Sequence, residues 1–361
     1  MRRHLHIALT VLAIALLALS ISWADTHLNA YWNRVLRVAG VSIILGQGLN
    51  LVNGILGQFS LAHGGLTLIA SYVYALLAMS PERKALIYLW KPLIWPFNGI
   101  QWPHVPSLIC AVVVTFLFGL LIGAPALRLR GDYLTIGTMA FTEAMVILSF
   151  NLVQVTNGPM GIKGVPEHAT IWWVWGAALL ATVFVYRLSQ SSYGRALKCI
   201  REDETAAELM GINLAYHKTL AFAISAAITG LGGGLLAGMG LGVDPNQFRS
   251  VFTFQVLMTV TIGGLGSVSG TVIAAVFVTF LVEWLRILDA PLSVGSFSLP
   301  AMLGLRWVVF ATLLILTVLY KREGLMGRNE LSWDALLSAA ERAYSRVRGA
   351  SSRGRRAQGE K

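Results

Sequence analysis

Cysteine occurs only twice in 361 residues, at Cys110 in an apolar run and Cys199 in a polar one. Two such dissimilar positions make neither a disulfide framework nor a metal site. Charge is also scarce: 12% of residues are Asp, Glu, Lys or Arg, against roughly 25% in soluble domains. The seven histidines include no HExxH or other ligand spacing, and no GK[ST] occurs anywhere. The glycine-rich stretch GGLGSVSG at 263–270 therefore reads as a tight turn rather than a phosphate cradle. No nucleophile–base pair stands out, which argues against an enzyme. Alternating segments of about ten residues are missing too, which excludes a transmembrane β-barrel. If ATP drives this protein, another polypeptide must bind it, and no cofactor is expected on this chain.

What is abundant is apolar surface: 56% hydrophobic residues and a mean hydropathy of +0.67. Repeated apolar runs of about 20 residues predict an all-α polytopic membrane protein. About ten transmembrane helices fit, some broken by glycine, near 7–23, 36–56, 59–79, 107–127, 132–153, 170–188, 219–240, 251–263, 270–288 and 303–320. The N-terminal MRRHLH and the run after it read as an uncleaved first helix, with a signal peptide ending near Ser22-Trp23-Ala24 as the alternative. An even number of spans puts both termini on one face. The basic N-terminus, Arg128, Arg130, a charged island and the tail then share the cytoplasmic side. Residues 1–327 form the expected transmembrane domain, with a cytoplasmic loop at about 189–218. Residues 328–361 form a basic, flexible tail suited to anionic lipid. Trp90, Trp95 and Trp102, in the loop after the third span, suit the headgroup level.

The island is REDETAAELMG, residues 201–211. Half of the residues from Arg195 to Glu208 are charged, in a chain where charge is rare. Asp203 can cap a helix, Glu204 complements the positive end of its dipole, and Thr205-x-x-Glu208 is an alternative capping box. Ala206, Ala207, Leu209 and Met210 favour helix, and Gly211 is a natural stop. A helix of about two turns is too short to stand alone, so it must pack against something; Leu209 and Met210 offer apolar surface for that.

EDETAAELMGI, with YGRALKCIR before it and NLAYHKTLAFAISAAITGLGGGLLA after it, resembles the cytoplasmic EAA loop of ATP-binding cassette (ABC) importer permeases. More narrowly, it resembles the LivM-type subunits of the branched-chain amino acid importers. LGQGLNLVNGILGQFSLAHGGLTLIASY, LRLRGDYLTIGTMAFTEAMVIL, TNGPMGIKGVP and MTVTIGGLGSVSGTVIAA are similar to further blocks of that family, in the same order. The resemblance implies a permease subunit of the bacterial inner membrane that carries leucine, isoleucine and valine. It also implies a LivH-type second permease, two ATPase subunits and an extracytoplasmic binding protein. Glu204, Ala206, Ala207 and Gly211 would be its coupling positions on a short cytoplasmic coupling helix, with Arg195 and Arg201 on the adjoining surface. Urea or short amides are alternative substrates within the family.

Polar groups inside a membrane span are costly and face the bundle interior or a water-filled path. Gln47, Asn50, Asn53, Gln58, Ser60 and His63 cluster over the second and third spans, and Glu143 lies within the fifth. Asn50, Asn53 and Gly57 are spaced to share one helical face. One reading is a translocation path through Asn50, Asn53, Gln58, Ser60, His63 and Glu143, where broken helices expose backbone groups to a zwitterion. The other is interhelical hydrogen bonding. A secondary transporter using Glu143 and His63 as its ion site is the competing function, and it leaves the island without a purpose.

Overall fold

The computed structural model describes residues 2–88, 91–126, 131–286, 292–294, 297–299, 304–320, 324–327 and 330. Trp90, Arg128 and Arg130, and the tail from 328 apart from residue 330, lie outside the described residues. The chain divides into two compact units, one running Leu28–Arg328 and a smaller one that contains the first helix. That helix is α1 (Arg2–His27), in which the rings of Trp23 and His27 stack at 5.4 Å.

The larger unit begins with α2 (Ala30–Leu49), which continues as a π-helical stretch, Asn50–Leu56. Next come α3 (His63–Ala78), α4 (Pro81–Ile87), α5 (His104–Ala126), α6 (Asp132–Asn151) and α7 (Val153–Thr156). They are followed by α8 (Ile171–Gln190), α9 (Ser192–Glu202), α10 (Glu204–Leu209) and α11 (Leu214–Leu236), the last extended by a second π stretch, Ala237–Leu241. Finally come α12 (Ser250–Gly263), α13 (Val268–Leu285) and α14 (Leu305–Tyr320).

A helix thus occupies each of the ten predicted stretches. Among the described residues, six helices are long and apolar enough to cross a membrane: α2 and α11 with their π extensions, α5, α6, α8 and α13. The chain is a multi-pass membrane protein. Besides the short α7 and α9, two further elements were not expected from sequence. One is α4, in the loop after α3. The other is a small antiparallel hairpin, β1 (Leu292–Val294) with β2 (Phe297–Leu299), in an otherwise helical fold. In the α4 loop, Lys84 is buried and its ammonium donates to the carbonyls of Phe97, at 2.9 Å, and Ile100. Burial pushes its pKa down to about 8, so near neutrality it still ties the loop as a cation. Trp95, on that loop, is exposed.

Two long helices form the centre. The apolar windows of α2 and α11 are 78% and 72% buried, against 28% in α5, α6 and α8. The latter three present Val113, Leu117, Leu121, Ile136, Ile147 and Leu180 outward, as a lipid-facing ring requires. The central pair runs antiparallel, with Gly48 on Ser225 and Thr229 and Leu45 on Gly232. Small residues let the backbones approach. At Gly233 an added Cβ would lie 2.7 Å from the Thr67 carbonyl oxygen, so only glycine fits there.

α2 and α11 also end alike. Each passes into a π stretch and stops near a glycine at positive φ, Gly57 (φ 77°) or Gly240 (φ 79°). Each is followed by a shorter apolar helix, α3 of 16 residues or α12 of 14. The N-termini of these short helices meet, where the Gly64 N–H donates to Thr253 Oγ1 at 3.0 Å. The chain therefore carries one motif twice, in opposite orientations, a form common in transporters.

Candidate functional site

The charged island folds as two helices rather than one. α9 is capped by Ser191, whose hydroxyl accepts the Gly194 N–H at 3.2 Å, and it buries Leu197 and Ile200. Asp203 then adopts an extended conformation and caps α10, accepting from the backbone N–H of Thr205 at 2.8 Å and Ala206 at 3.0 Å. The Thr205–Glu208 box is thus not the one used. Gly211, at φ 83°, ends the helix as expected. Ala207 is buried, whereas Leu209 and Met210 are 84% and 83% exposed, with Ala206 and Glu208 beside them. The six-residue helix has an inner face and an outer one, and its large apolar side chains are on the outer.

The inner face is fastened to the break in α2. Glu204 accepts from Lys218 Nζ at 2.6 Å and from Gln58 Nε2 at 2.7 Å. Arg201 donates to the Gly54 carbonyl at 3.0 Å and pairs with Glu202 at 2.9 Å. Gly54 lies in the π stretch, where the altered ladder leaves carbonyls for other donors. Arg195 is not part of this fastening; it bonds the Gln190 carbonyl and Ser192 Oγ, both at 3.0 Å.

Immediately beyond, the π stretch is latched to the turn between α12 and α13. Asn50 accepts from Gly266 N–H at 2.8 Å and donates to the Ser267 carbonyl at 3.1 Å, while Gln47 donates to the Val268 carbonyl at 2.9 Å. Asn53 and Ser60 bond reciprocally across the break, at 3.3 and 3.1 Å. His63 Nε2 meets Ser225 Oγ at 2.8 Å, and that hydroxyl donates to the Gly48 carbonyl at 2.6 Å. Since Ser225 has one proton, Nε2 carries the hydrogen and His63 is the donor. Asn50, Asn53, Ser60 and His63 are all buried.

The structure brings these residues together, but with protein partners of their own. The helical spacing expected for Asn50, Asn53 and Gly57 fails because residues 50–56 form a π-helix. Glu143 lies apart from them. It accepts from the Ser250 N–H at 3.0 Å and Ser250 Oγ at 2.6 Å, capping α12 from α6. Glu143→Ala should leave that N–H unpaired and cost about 1–3 kcal/mol. Glu143→Gln, which keeps an acceptor, should lose much less. Thermal unfolding of the two purified variants in detergent checks the ordering, and equal losses would contradict the cap.

Over residues 31–319 the chain matches the family model described as branched-chain amino acid transport system / permease component. It belongs to that family. It is 30% identical over 308 residues to the high-affinity branched-chain amino acid transport system permease protein LivM of Salmonella typhimurium, covering 76% of this chain and 68% of that one. The same figures hold for LivM of Escherichia coli. It is also 26% identical over 310 residues to LivH of Salmonella typhimurium, covering 80% of this chain and 92% of the relative. No solved structure matches it.

In this permease, several groups at the break were not singled out from sequence. Thr138 and Thr142 of α6 reach the non-helical segment after Gly57, the first accepting from Leu61 N–H at 2.9 Å and the second donating to the Leu61 carbonyl at 2.8 Å. Their spacing of four on one face was the signal that could have found them. Lys218, a lone cation entering the apolar run of α11, was another. The backbone groups of Gly54 and Gly266–Val268 carry no side-chain signal at all.

Proposed function

We propose that this chain is a membrane-spanning subunit of an ATP-driven importer that moves leucine, isoleucine and valine across the bacterial inner membrane. The observation that carries this reading is α10: a six-residue helix that leaves Leu209 and Met210 exposed at its end while Glu204 on its inner face, with Arg201 at the end of the adjoining α9, holds the break in α2. A helix this short has little stability of its own, so its place depends on what it touches on both sides. Exposed apolar side chains rimmed by charge mark a protein interface. In this reading α10 is the coupling helix and an ATPase subunit covers its outer face. The adjoining Arg195, and the positions Ala206 and Gly211, belong to that contact.

The remaining features fit one machine. Ten helices cross the membrane, the short α3 and α12 included, with both termini and the basic tail from 328 on the cytoplasmic side. A LivH-type second permease, two ATPase subunits and an extracytoplasmic binding protein complete it. This chain binds no nucleotide and catalyses no bond chemistry. Closure of the ATPase pair shifts α10 with the adjoining end of α9, which pulls Gln58 through Glu204 and the Gly54 carbonyl through Arg201. The latch of Gln47 and Asn50 on residues 266–268 then opens toward the cytoplasm. Asn50, Asn53, Gln58, Ser60 and His63 act as the inner gate of the path, and Glu143 holds the end of α12 beside it.

Proteoliposomes containing the complex with its cognate partners test this. ATP inside the ATPase-facing compartment should drive L-leucine uptake, and omission of the ATPase should abolish it. Uptake by the permease pair alone on a Na⁺ or H⁺ gradient would overturn the reading.

A further inference from the structure

A cleft opens between α2, α12, α13 and Phe310 of α14 at the end of the bundle where α2 begins, away from the Arg201–Gly54 contact. It has two chambers that share Val38, Thr279 and Glu283. The one at the mouth, about 230 Å³, is walled by Tyr31, Arg34, Glu283 and Arg286. The deeper one, about 180 Å³, has mostly aliphatic and aromatic walls, with Gln255 and Thr279 among its polar groups.

At the mouth, Glu283 accepts from the Tyr31 hydroxyl and pairs with Arg286 at 3.1 Å. The Arg286 guanidinium lies 5.9 Å from the Tyr31 ring centroid. Arg34 has no carboxylate partner among the described residues, so the mouth holds two guanidinium groups and one carboxylate. Deeper in, Gln255 and Thr279 sit on membrane helices, where polar side chains face water or one another. The cleft has a floor. At Gly46 an added Cβ would lie 2.9 Å from Thr271 Cγ2, with Thr259 and Val260 next to it. Below that level Gln47 and Asn50 bond the start of α13. The cleft is open at one end and sealed at the other.

We propose that this cleft is a substrate site: it receives a zwitterionic α-amino acid with an aliphatic side chain before the path below it opens. The carboxylate lies between Arg34 and Arg286, where charge-assisted bonds to guanidinium are strong. The ammonium lies toward Glu283, and the side chain enters the deeper chamber. A small cavity with apolar walls and a few converging polar groups is the usual form of such a site. The inference rests on the importer reading and adds a location that the buried Asn50–His63 cluster does not supply. A zwitterionic phospholipid headgroup presents the same pair of charges, so the test separates the two sources.

The probe is a cysteine at the neck, Thr279→Cys, with Cys110→Ser and Cys199→Ser, in the full transporter complex in nanodiscs. The rate of labelling by a cationic methanethiosulfonate is followed. L-Leucine at about ten times its dissociation constant should slow labelling about tenfold, by the occupancy factor 1 + [L]/Kd. Isopentylamine, which lacks the carboxylate, and 4-methylpentanoate, which lacks the ammonium, should protect far less. Adding Arg34→Gln to the assembled complex should remove most of the protection by leucine.

Labelling that leucine leaves unchanged, in a complex that imports leucine, overturns the site while the importer reading stands. Labelling that ignores leucine but quickens when phosphatidylethanolamine is replaced by phosphatidylglycerol places a lipid headgroup there and also overturns it. Failure of the wild-type complex to import leucine at all falls on the importer reading instead.

Discussion

Leu209→Glu combined with Met210→Glu will abolish ATP-driven uptake and strip the ATPase from the purified complex, while the permease itself stays folded. Both side chains are more than four-fifths exposed, so no packing among the described residues depends on them. Covering two such residues is worth roughly 1.5–3 kcal/mol each. Their loss therefore removes about 3–6 kcal/mol, or roughly a hundred- to ten-thousand-fold in affinity. Co-purification and coupled ATPase assays measure the loss, and an unchanged melting temperature of the isolated permease shows that the fold survives. Retained ATPase at wild-type stoichiometry would refute the assignment of this face. Ala207 is the wrong residue for such a test: it is 3% exposed and packs inward, so a large side chain there reports on folding rather than docking.

Gly54→Val will destabilise the permease more than any conservative exchange at the protein surface. A Cβ at residue 54 would lie 2.1 Å from Asn50 Oδ1 and 2.3 Å from the Gly266 nitrogen. The second of these is backbone and cannot swing aside. Overpacking alone costs about 1–3 kcal/mol, and the displaced Asn50–Gly266 bond leaves a part-buried N–H and the buried Asn50 amide oxygen unpaired for about 1–3 kcal/mol more. Thermal unfolding in detergent should show a large drop in midpoint, with poor recovery of folded protein. Gly99→Ala is the control, because nothing lies within 4 Å of a Cβ there. Equal behaviour of the two variants would mean that the latch is not closed in this protein.

Membrane class and the positions of the helices were legible because apolar runs long enough to span a bilayer seldom occur outside one. The island was legible for a local reason. Asp203 and Gly211 are a cap and a stop whose chemistry acts within a few residues, and both do what their types predict. The direction in which Glu204 points was not legible. An acidic residue in a first helical turn suits the dipole whichever way it faces, and only the fold brings Lys218 and Gln58 to it.

The polar cluster shows the same limit. Amides and a histidine within apolar runs signal an interior position, which Asn50, Asn53 and His63 do occupy. Whether they face a path or another helix depends on backbone acceptors such as Ser267 and Val268, which every residue type supplies alike. The π turn at 50–56 compounded this. It rotates side chains away from their 3.6-residue positions without any mark in composition. Glu283 and Arg34, by contrast, sit at helix ends where charge is unremarkable, so the cleft between them became visible only once α2 and α13 were packed.

α2 and α11, each with its π extension, are rods of nearly equal length, 27 and 28 residues, crossing at mid-length and running in opposite directions. Such a pair has the mechanics of a seesaw. A tilt that parts the ends at one surface presses together the ends at the other, and the short helices hinged at Gly57 and Gly240 must follow. A transport cycle that opens the two surfaces in turn would therefore need no separate timing device. In such a cycle the pivot would be the glycine-lined crossing itself.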